Sequence, residues 1–416
     1  MFPAELSPHP SKIYDSFTTH RIIIAGSYLL VNSKFQHRKK NVWVFGEWFG
    51  EKCNDNCMYL ANYTAEKFPN IEVYWIAKST TDISQLSDKI SVISMDSEAS
   101  YKLLSDAGVA IVGQNFYDLS STGYKYVQGA CTILLWHGVP WKRIGFDAAR
   151  SMNFFIKLYD NIMDVVQSAD YYLTLSDKYS KVLETAFHVK SSKLIKSGYP
   201  RNSIFYNQSK INEARHFVSI KLSQLTNIKI DEKTRIITYM PTFRNNGETY
   251  SFLNYQDISN LNKSLEEHNA IIVQKAHFVT QKKRDWVASH QYDRIIDLED
   301  IDAQRLLCAT DILITDYSSC FFDYLLLNRP IIHFLYDYEY YRDEDRGLYY
   351  PKEDVTAGDI ATNEEELSEQ IFENLEHPMR CKLRREKIRS EYLTYESCSS
   401  CEEIIKSIFE KISWQG

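Results

Sequence analysis

The chain has 416 residues, 44% hydrophobic and 25% charged, with a formal net charge of −7. This is enough apolar material for two cores, and the acidic balance disfavours a duplex nucleic-acid binder, whose phosphate contacts need Lys and Arg. Residues Met1–Lys12 lack a basic start followed by an apolar run, and Ile22–Val31 is shorter than the about 20 residues of a membrane span; the chain reads as soluble or peripheral.

Asn41–Gly46 (NVWVFG) reads as a first strand, followed by a helix over Tyr59–Lys67. Further strands are expected at Ile71–Ala77, Lys89–Ser94, Ala107–Gly113, Cys131–Trp136 and Ala169–Leu175. Continuous apolar strands alternating with helix-length segments point to a parallel sheet covered on both faces. After Lys196–Phe205 (KSGYPRNSIF) and a polar helix over Gln208–Gln224 the pattern restarts. Strands are expected at Arg235–Met240, Ala270–Gln274, Arg294–Leu298, Asp311–Thr315 and Pro330–Leu335, then helices through Glu364–Ile412. The fold class is α/β: two doubly wound domains in series with a cleft between them. Their boundaries are expected as 1–40 for an N-terminal segment, 41–205 and 206–380 for the two domains, and 381–416 for C-terminal helices.

Ligand groups in open α/β sheets gather at the carboxyl ends of strands. His137 follows the strand CTILLW, where a general base could stand, with Gly138 allowing close backbone approach and Pro140 stiffening the turn. By position alone it is equally a structural cap. Thr242 and Arg244 follow the strand RIITYM, and an arginine there suits a phosphate or a plain surface. Lys275 and His277, two apart, point the same way in an extended segment and suit a diphosphate. Asp316, Ser318 and Ser319 stand between DILIT and a helix, where hydroxyls and N–H groups either meet an anion or simply cap. Asp323 lies one turn on, in reach of a ribose hydroxyl or merely suited to the helix N-terminus. Tyr336–Tyr350 (YDYEYYRDEDRGLYY), closed by Arg346 and Gly347, reads as a solvated loop or as a lid over a nucleotide. Dinucleotide, P-loop, zincin and hydrolase signatures are absent. The single CxxC at Cys398 and Cys401 has no second pair, so no metal site is expected.

Taken in order, WFGEKCNDN (48–56), WHGVPWKRIGFD (136–147), SGYPRNSIF (197–205), YMPTFR (239–244), QKAH (274–277), DILITDYSSCFFDYLLLNRPII (311–332) and the Tyr336–Tyr350 segment resemble the CDP-glycerol glycerophosphotransferase family, which builds teichoic acids and related capsular polymers. The resemblance implies a GT-B architecture, two Rossmann-like domains with the CDP donor held mainly by the second. It implies transfer of glycerol phosphate or ribitol phosphate from a CDP-alditol to a lipid-linked or polymeric acceptor, with release of CMP and no cofactor or essential metal. His137 would be the base. Arg244, Lys275 and His277 would meet charge on the diphosphate, and the donor set would be Gly138, Thr242, Lys275, Asp316, Ser318, Ser319, Asp323 and Arg346. It also implies a cytoplasmic enzyme, peripheral at the inner membrane face. Arg21–Lys40 and Ser151–Gln167 could dock there or could pack as ordinary core. Val139 and Trp141 depart from the Thr and Leu more usual in the family. The competing readings are a GT-B glycosyltransferase using a nucleotide sugar, and a non-catalytic nucleotide-binding protein of a polymer-export complex.

Overall fold

The computed structural model describes residues 38–148, 168–226, 228–242, 244, 250–275, 292–298, 301–345 and 347–413. His277, Arg346, Ser151–Gln167 and nearly all of Arg21–Lys40 lie outside the described residues.

Two sheets are present. The first contains β1 (Lys39–Gly46), β2 (Glu72–Ala77), β3 (Ser91–Ser94), β4 (Ala107–Val112), β5 (Cys131–Leu134), β6 (Tyr171–Thr174) and β7 (Leu194–Lys196), in the order β3-β2-β1-β4-β5-β6-β7. Its pairings from β3 across to β6 are parallel. The second contains β8 (Arg235–Met240), β9 (Ala270–Gln274), β10 (Ile295–Asp297), β11 (Ile312–Thr315), β12 (Ile331–Phe334) and β13 (Asp359–Ala361), in the order β10-β9-β8-β11-β12-β13. It is parallel at every pairing. In both sheets strand order reverses once, between β1 and β4 and between β8 and β11, the switch points where doubly wound sheets leave room for ligands.

Burial explains why these residues form these strands. Every residue of β4 is buried, as a central strand covered on both faces requires. In the second sheet Ile237, Tyr239, Ile272, Ile312 and Ile314 pack into one core, while their neighbours Ile236, Ile271 and Val273 pack into another with Val218, Leu222 and Leu306. The period-2 alternation of the strand thus feeds two apolar layers. The helix Gln208–Leu225 buries Ile211, Ala214, Val218 and Leu222, a single stripe at helical spacing, of which Val218 and Leu222 join the second layer, and Asn207 caps it by accepting from Lys210 N–H.

Packing divides the chain into two units. The described residues of Met1–His137, Met152–Tyr172 and Ile405–Gly416 form one, and those of Gly138–Ser151 and Leu173–Ile404 form the other. This grouping differs from a single boundary near residue 205. The chain leaves the first unit at Gly138, and the end of the helix Ser400–Ile412 returns to it, where Phe409 packs edge-on against Trp43 and Phe68. Strands β7 and β13, three residues each, were not expected.

Candidate active site

In the first unit the strand ends converge on the β1/β4 switch point. Glu47, at the end of β1, is fully buried; its carboxylate accepts the N–H groups of Asn54, Asp55 and Cys57. Burial and the nearby Asp55 charge push its pKa well above the usual carboxylate value. Asp118 accepts from Phe49, Gly113, Gln114 and Asn115 N–H, and burial, opposed by those bonds, lifts it to about 6. These acids anchor two loops, β1 to the helix Asn56–Lys67 and β4 to β5.

His137 stands at the carboxyl end of β5, half-buried. Its ring lies against Trp136, with centroids 4.3 Å apart, and against Trp48, at 5.7 Å. The Trp136 carbonyl accepts from Asn56 Nδ2 at 2.9 Å. Trp136 (φ 62), Trp48 (φ 49) and Phe49 (φ 57) all adopt the left-handed conformation. Each such position costs about 1–3 kcal/mol and persists only where the surroundings enforce it.

In the second unit, Asp316 directly follows β11 and sews it to the β8 loop. It is fully buried and accepts from Thr242 N–H at 2.8 Å and Tyr317 N–H at 2.6 Å. Arg244 is 1% exposed. Its Nη1 pairs with Asp316 at 2.9 Å and donates to the Thr242 carbonyl, while Nε and Nη2 form a fork on Asp337 at 2.6 and 3.1 Å. The rings of Tyr317, Tyr336 and Tyr341 lie about it at 5.1, 5.4 and 5.0 Å. Burial works against the charged guanidinium, but Asp316 and the bonds to Asp337 outweigh it and hold the pKa above the ordinary arginine value. The arginine expected to meet a donor diphosphate therefore has its charge balanced by two carboxylates, and it fixes the loops around the switch point.

Asp323 differs similarly from expectation. It is 2% exposed and takes Arg201 Nε at 2.9 Å and Nη2 at 2.6 Å, with Asn202 and Gln304 donating at longer range. Burial raises its pKa against the pull of Arg201. In this geometry it is a buried ion-pair partner of the SGYPRNSIF segment, not a group turned to a ribose. Ser318 and Ser319 remain half-exposed before the helix Cys320–Tyr324, and Ser319 makes no side-chain cap bond. Lys275, half-buried at the end of β9, donates Nζ to the Ile301 carbonyl at 2.8 Å. Thr242 Oγ1 is enclosed without a hydrogen-bond partner among the described residues.

Within Tyr336–Tyr350, Glu339, Tyr340 and Arg342–Glu344 are exposed while other described residues are tied down. Tyr341 is buried and stacks on Tyr317, with centroids 3.9 Å apart. Lys142 bridges antiparallel to Leu348, Arg143 N–H and Tyr349 N–H bond across to Gly347 and Trp141 carbonyls, and Trp141 Nε1 donates to Tyr350 at 2.8 Å. Residues 138–148 are thus a strap bound to this segment, and Trp141, one of the departures from family pattern, is fully buried against Tyr317.

Sequence reasoning passed over His333, the buried histidine of β12. Its Nε2 accepts from Ala357 N–H at 3.0 Å, which puts the ring proton on Nδ1, and burial depresses its pKa to about 3. It is a neutral structural imidazole. Asp337, Arg201 and Trp48 were also missed as individual residues, although each lies in a segment already singled out.

The family model for CDP-glycerol:poly(glycerophosphate) glycerophosphotransferase matches residues 29–410. The chain belongs to this family. With it, the chain is a transferase that moves an alditol phosphate from a CDP-linked donor. It is 28% identical over 337 residues to a teichoic acid glycerol-phosphate transferase of Staphylococcus aureus (strain NCTC 8325 / PS 47), covering 79% of this chain and 82% of that one. It is 26% identical over 395 residues to a teichoic acid poly(glycerol phosphate) polymerase of Bacillus subtilis (strain 168), covering 92% of this chain but only 50% of that polymerase's length. In structure it resembles the wall teichoic acid polymerase TagF, with a TM-score of 0.75 at 21% identity over 98% of this chain and 99% of that one. That likeness is one of fold: two doubly wound α/β units of GT-B type.

Proposed function

We propose that the chain transfers glycerol phosphate from CDP-glycerol to a hydroxyl of a lipid-linked or polymeric acceptor, in the assembly of a teichoic acid or a capsular polymer. The observation that carries the reading of the site is His137, an imidazole at a strand end beside a switch point, in ring contact with two tryptophans. Histidine is the side chain most often used as a general base.

In the proposed reaction the acceptor oxygen attacks the donor phosphorus that bears glycerol. His137 takes the hydroxyl proton, the P–O bond to CMP breaks, and CMP leaves with the electron pair. Such transfers ask the protein mainly for position and charge stabilisation. Lys275 and the hydroxyls of Ser318 and Ser319 are the groups of the second unit assigned to the diphosphate, together with His277 and Arg346 outside the described residues. Arg244 and Asp316 hold the loops that present them. The family of the chain and the name of its staphylococcal relative support glycerol as the alditol. Work on a lipid-linked acceptor places the enzyme at the inner face of the cell membrane as a peripheral protein; among the described residues no helix is long and apolar enough to cross one.

The test is to mix the purified chain with CDP-glycerol, and separately CDP-ribitol, and a lipid-linked acceptor analogue, following CMP and acceptor mass. CMP with acceptor gain in glycerol-phosphate units, abolished in His137→Ala, is expected. Turnover with CDP-ribitol alone would correct the alditol. Inertness to both, with release of a nucleoside diphosphate from a nucleotide sugar, would replace the reading by a glycosyltransferase.

A further inference from the structure

We infer that Trp48 is a positioning residue for His137, which rests on reading His137 as the base. Three observations converge. The Trp48 ring centre lies 5.7 Å from that of the imidazole with the planes tilted by 50°, and the adjacent Trp136 lies 4.3 Å away at 33°, so the imidazole is bordered by two indoles. The Trp48 indole is itself fixed: Nε1 donates to Asp55 Oδ2 at 3.1 Å, and Lys52 Nζ lies 5.6 Å from the ring centre. The backbone that delivers it is costly, with consecutive left-handed residues Trp48 and Phe49. Bulky side chains are outliers in that region, where glycine or asparagine would sit more easily.

The surroundings over-determine this turn. Gly50 N–H returns to the Glu47 carbonyl, Lys78 N–H donates to Gly50, Phe49 N–H donates to Asp118, and the Glu47 carboxylate gathers the N-terminus of the helix Asn56–Lys67. Two buried acids and a strained turn are thus arranged to place one flat aromatic side chain against one imidazole. Asp55 does double duty, accepting from the indole through Oδ2 and from Asn56 N–H through Oδ1. A core plug would need apolar bulk alone. A ring held by its N–H against an imidazole restricts the direction in which that imidazole can take a proton, and misplacing a reacting group by an ångström costs about 100-fold in rate.

The experiment compares the wild-type chain with Trp48→Ala, Trp48→Phe, Trp48→Leu and His137→Ala. Turnover of CDP-glycerol on a lipid-linked acceptor analogue is measured, and carbethoxylation of His137 by diethyl pyrocarbonate is followed on its peptide by mass spectrometry. Trp48→Ala should lower kcat by about tenfold or more while the KM for CDP-glycerol holds within about twofold, and His137 should react faster. Trp48→Phe, which keeps a flat ring, should recover most of kcat. Should Trp48→Ala fail to fold, Trp48→Leu keeps the bulk without the ring or N–H and carries the same expectations. Turnover and His137 reactivity both unchanged in a folded Trp48→Ala or Trp48→Leu variant would overturn the inference. Full turnover in His137→Ala would instead remove the base reading, and the modification rates, which need no turnover, would still decide whether Trp48 positions the ring.

Discussion

The side chain of Ser319 fills the space in front of Gly138: an added Cβ there would lie 2.6 Å from Ser319 Cβ and closer still to its hydroxyl. The strap after His137 and the loop after β11 therefore meet at a residue that has no side chain. Gly138→Ala should destabilise the chain by about 1–3 kcal/mol through overpacking. Adding Ser319→Gly removes both obstructing atoms, and thermal melting should show the double variant recovering part of the loss, a non-additive pair of the kind expected for residues in contact.

Arg244 offers a separate test of its role. Arg244→Met strands Asp316 and Asp337 without their counter-charge, and breaking such a buried network costs about 3–5 kcal/mol. Urea unfolding should register that loss. A variant that kept wild-type stability and lost only donor affinity would return Arg244 to the diphosphate.

Asp323 and Arg201 form the second buried pair, with side chains 3% and 9% exposed. Asp323→Asn should leave Arg201 under-compensated and lower stability by about 3–5 kcal/mol. Calorimetric titration of the folded variant with CDP-glycerol should show little change in affinity. A stable variant with sharply weakened donor binding would instead mark Asp323 as a ribose ligand.

Glu396 predicts a pH dependence. Its Oε1 is enclosed without a hydrogen-bond partner among the described residues, its Oε2 accepts from Tyr199 N–H, and burial raises its pKa from 4.5 to about 8, with Asp323 adding to the rise and Arg201 opposing it. The folded state then holds this proton more tightly than the unfolded chain. The stability it contributes is complete below the unfolded value and is lost as pH rises through the folded one. Glu396→Gln fixes the neutral form, so melting curves at pH 5, 7 and 8.5 should show the variant gaining on wild type as pH rises, by a few degrees at the alkaline end. Parallel curves at all three values would show that Glu396 does not titrate in this way.

Much of the fold could be read from apolar runs such as AGVAIV and DILIT, because a strand buried on both faces has no polar alternation to blur it. Strands β7 (LIK) and β13 (DIA) are too short to show any period. In the candidate site the strand ends were legible, because a histidine, arginine or Asp-Tyr-Ser-Ser after an apolar run stands out locally. Charge partners were not. Asp337 is 93 residues from Arg244, and Arg201 is 122 from Asp323, so residue type suggested phosphate or ribose where tertiary pairing supplies a carboxylate or a guanidinium. His333 sits in an ordinary apolar strand, and nothing in PIIHFL says which way its ring proton points. The left-handed turn at Trp48 was signalled only by the following Gly50.

The strap at 138–148 has a consequence for how the chain is made. Trp141 donates to a carbonyl 209 residues later, and Arg143 to one 205 residues later. At synthesis rates of about 5–20 residues per second, the strap emerges roughly 10–40 s before the segment it binds. The second unit is therefore stitched from an early piece and a late one, a loop closure that must wait for translation. A fragment begun at Leu173 would display Gly347–Tyr350 with its partner strand missing, so the two pieces would have to be supplied together, or as separate chains that find each other, for this unit to form.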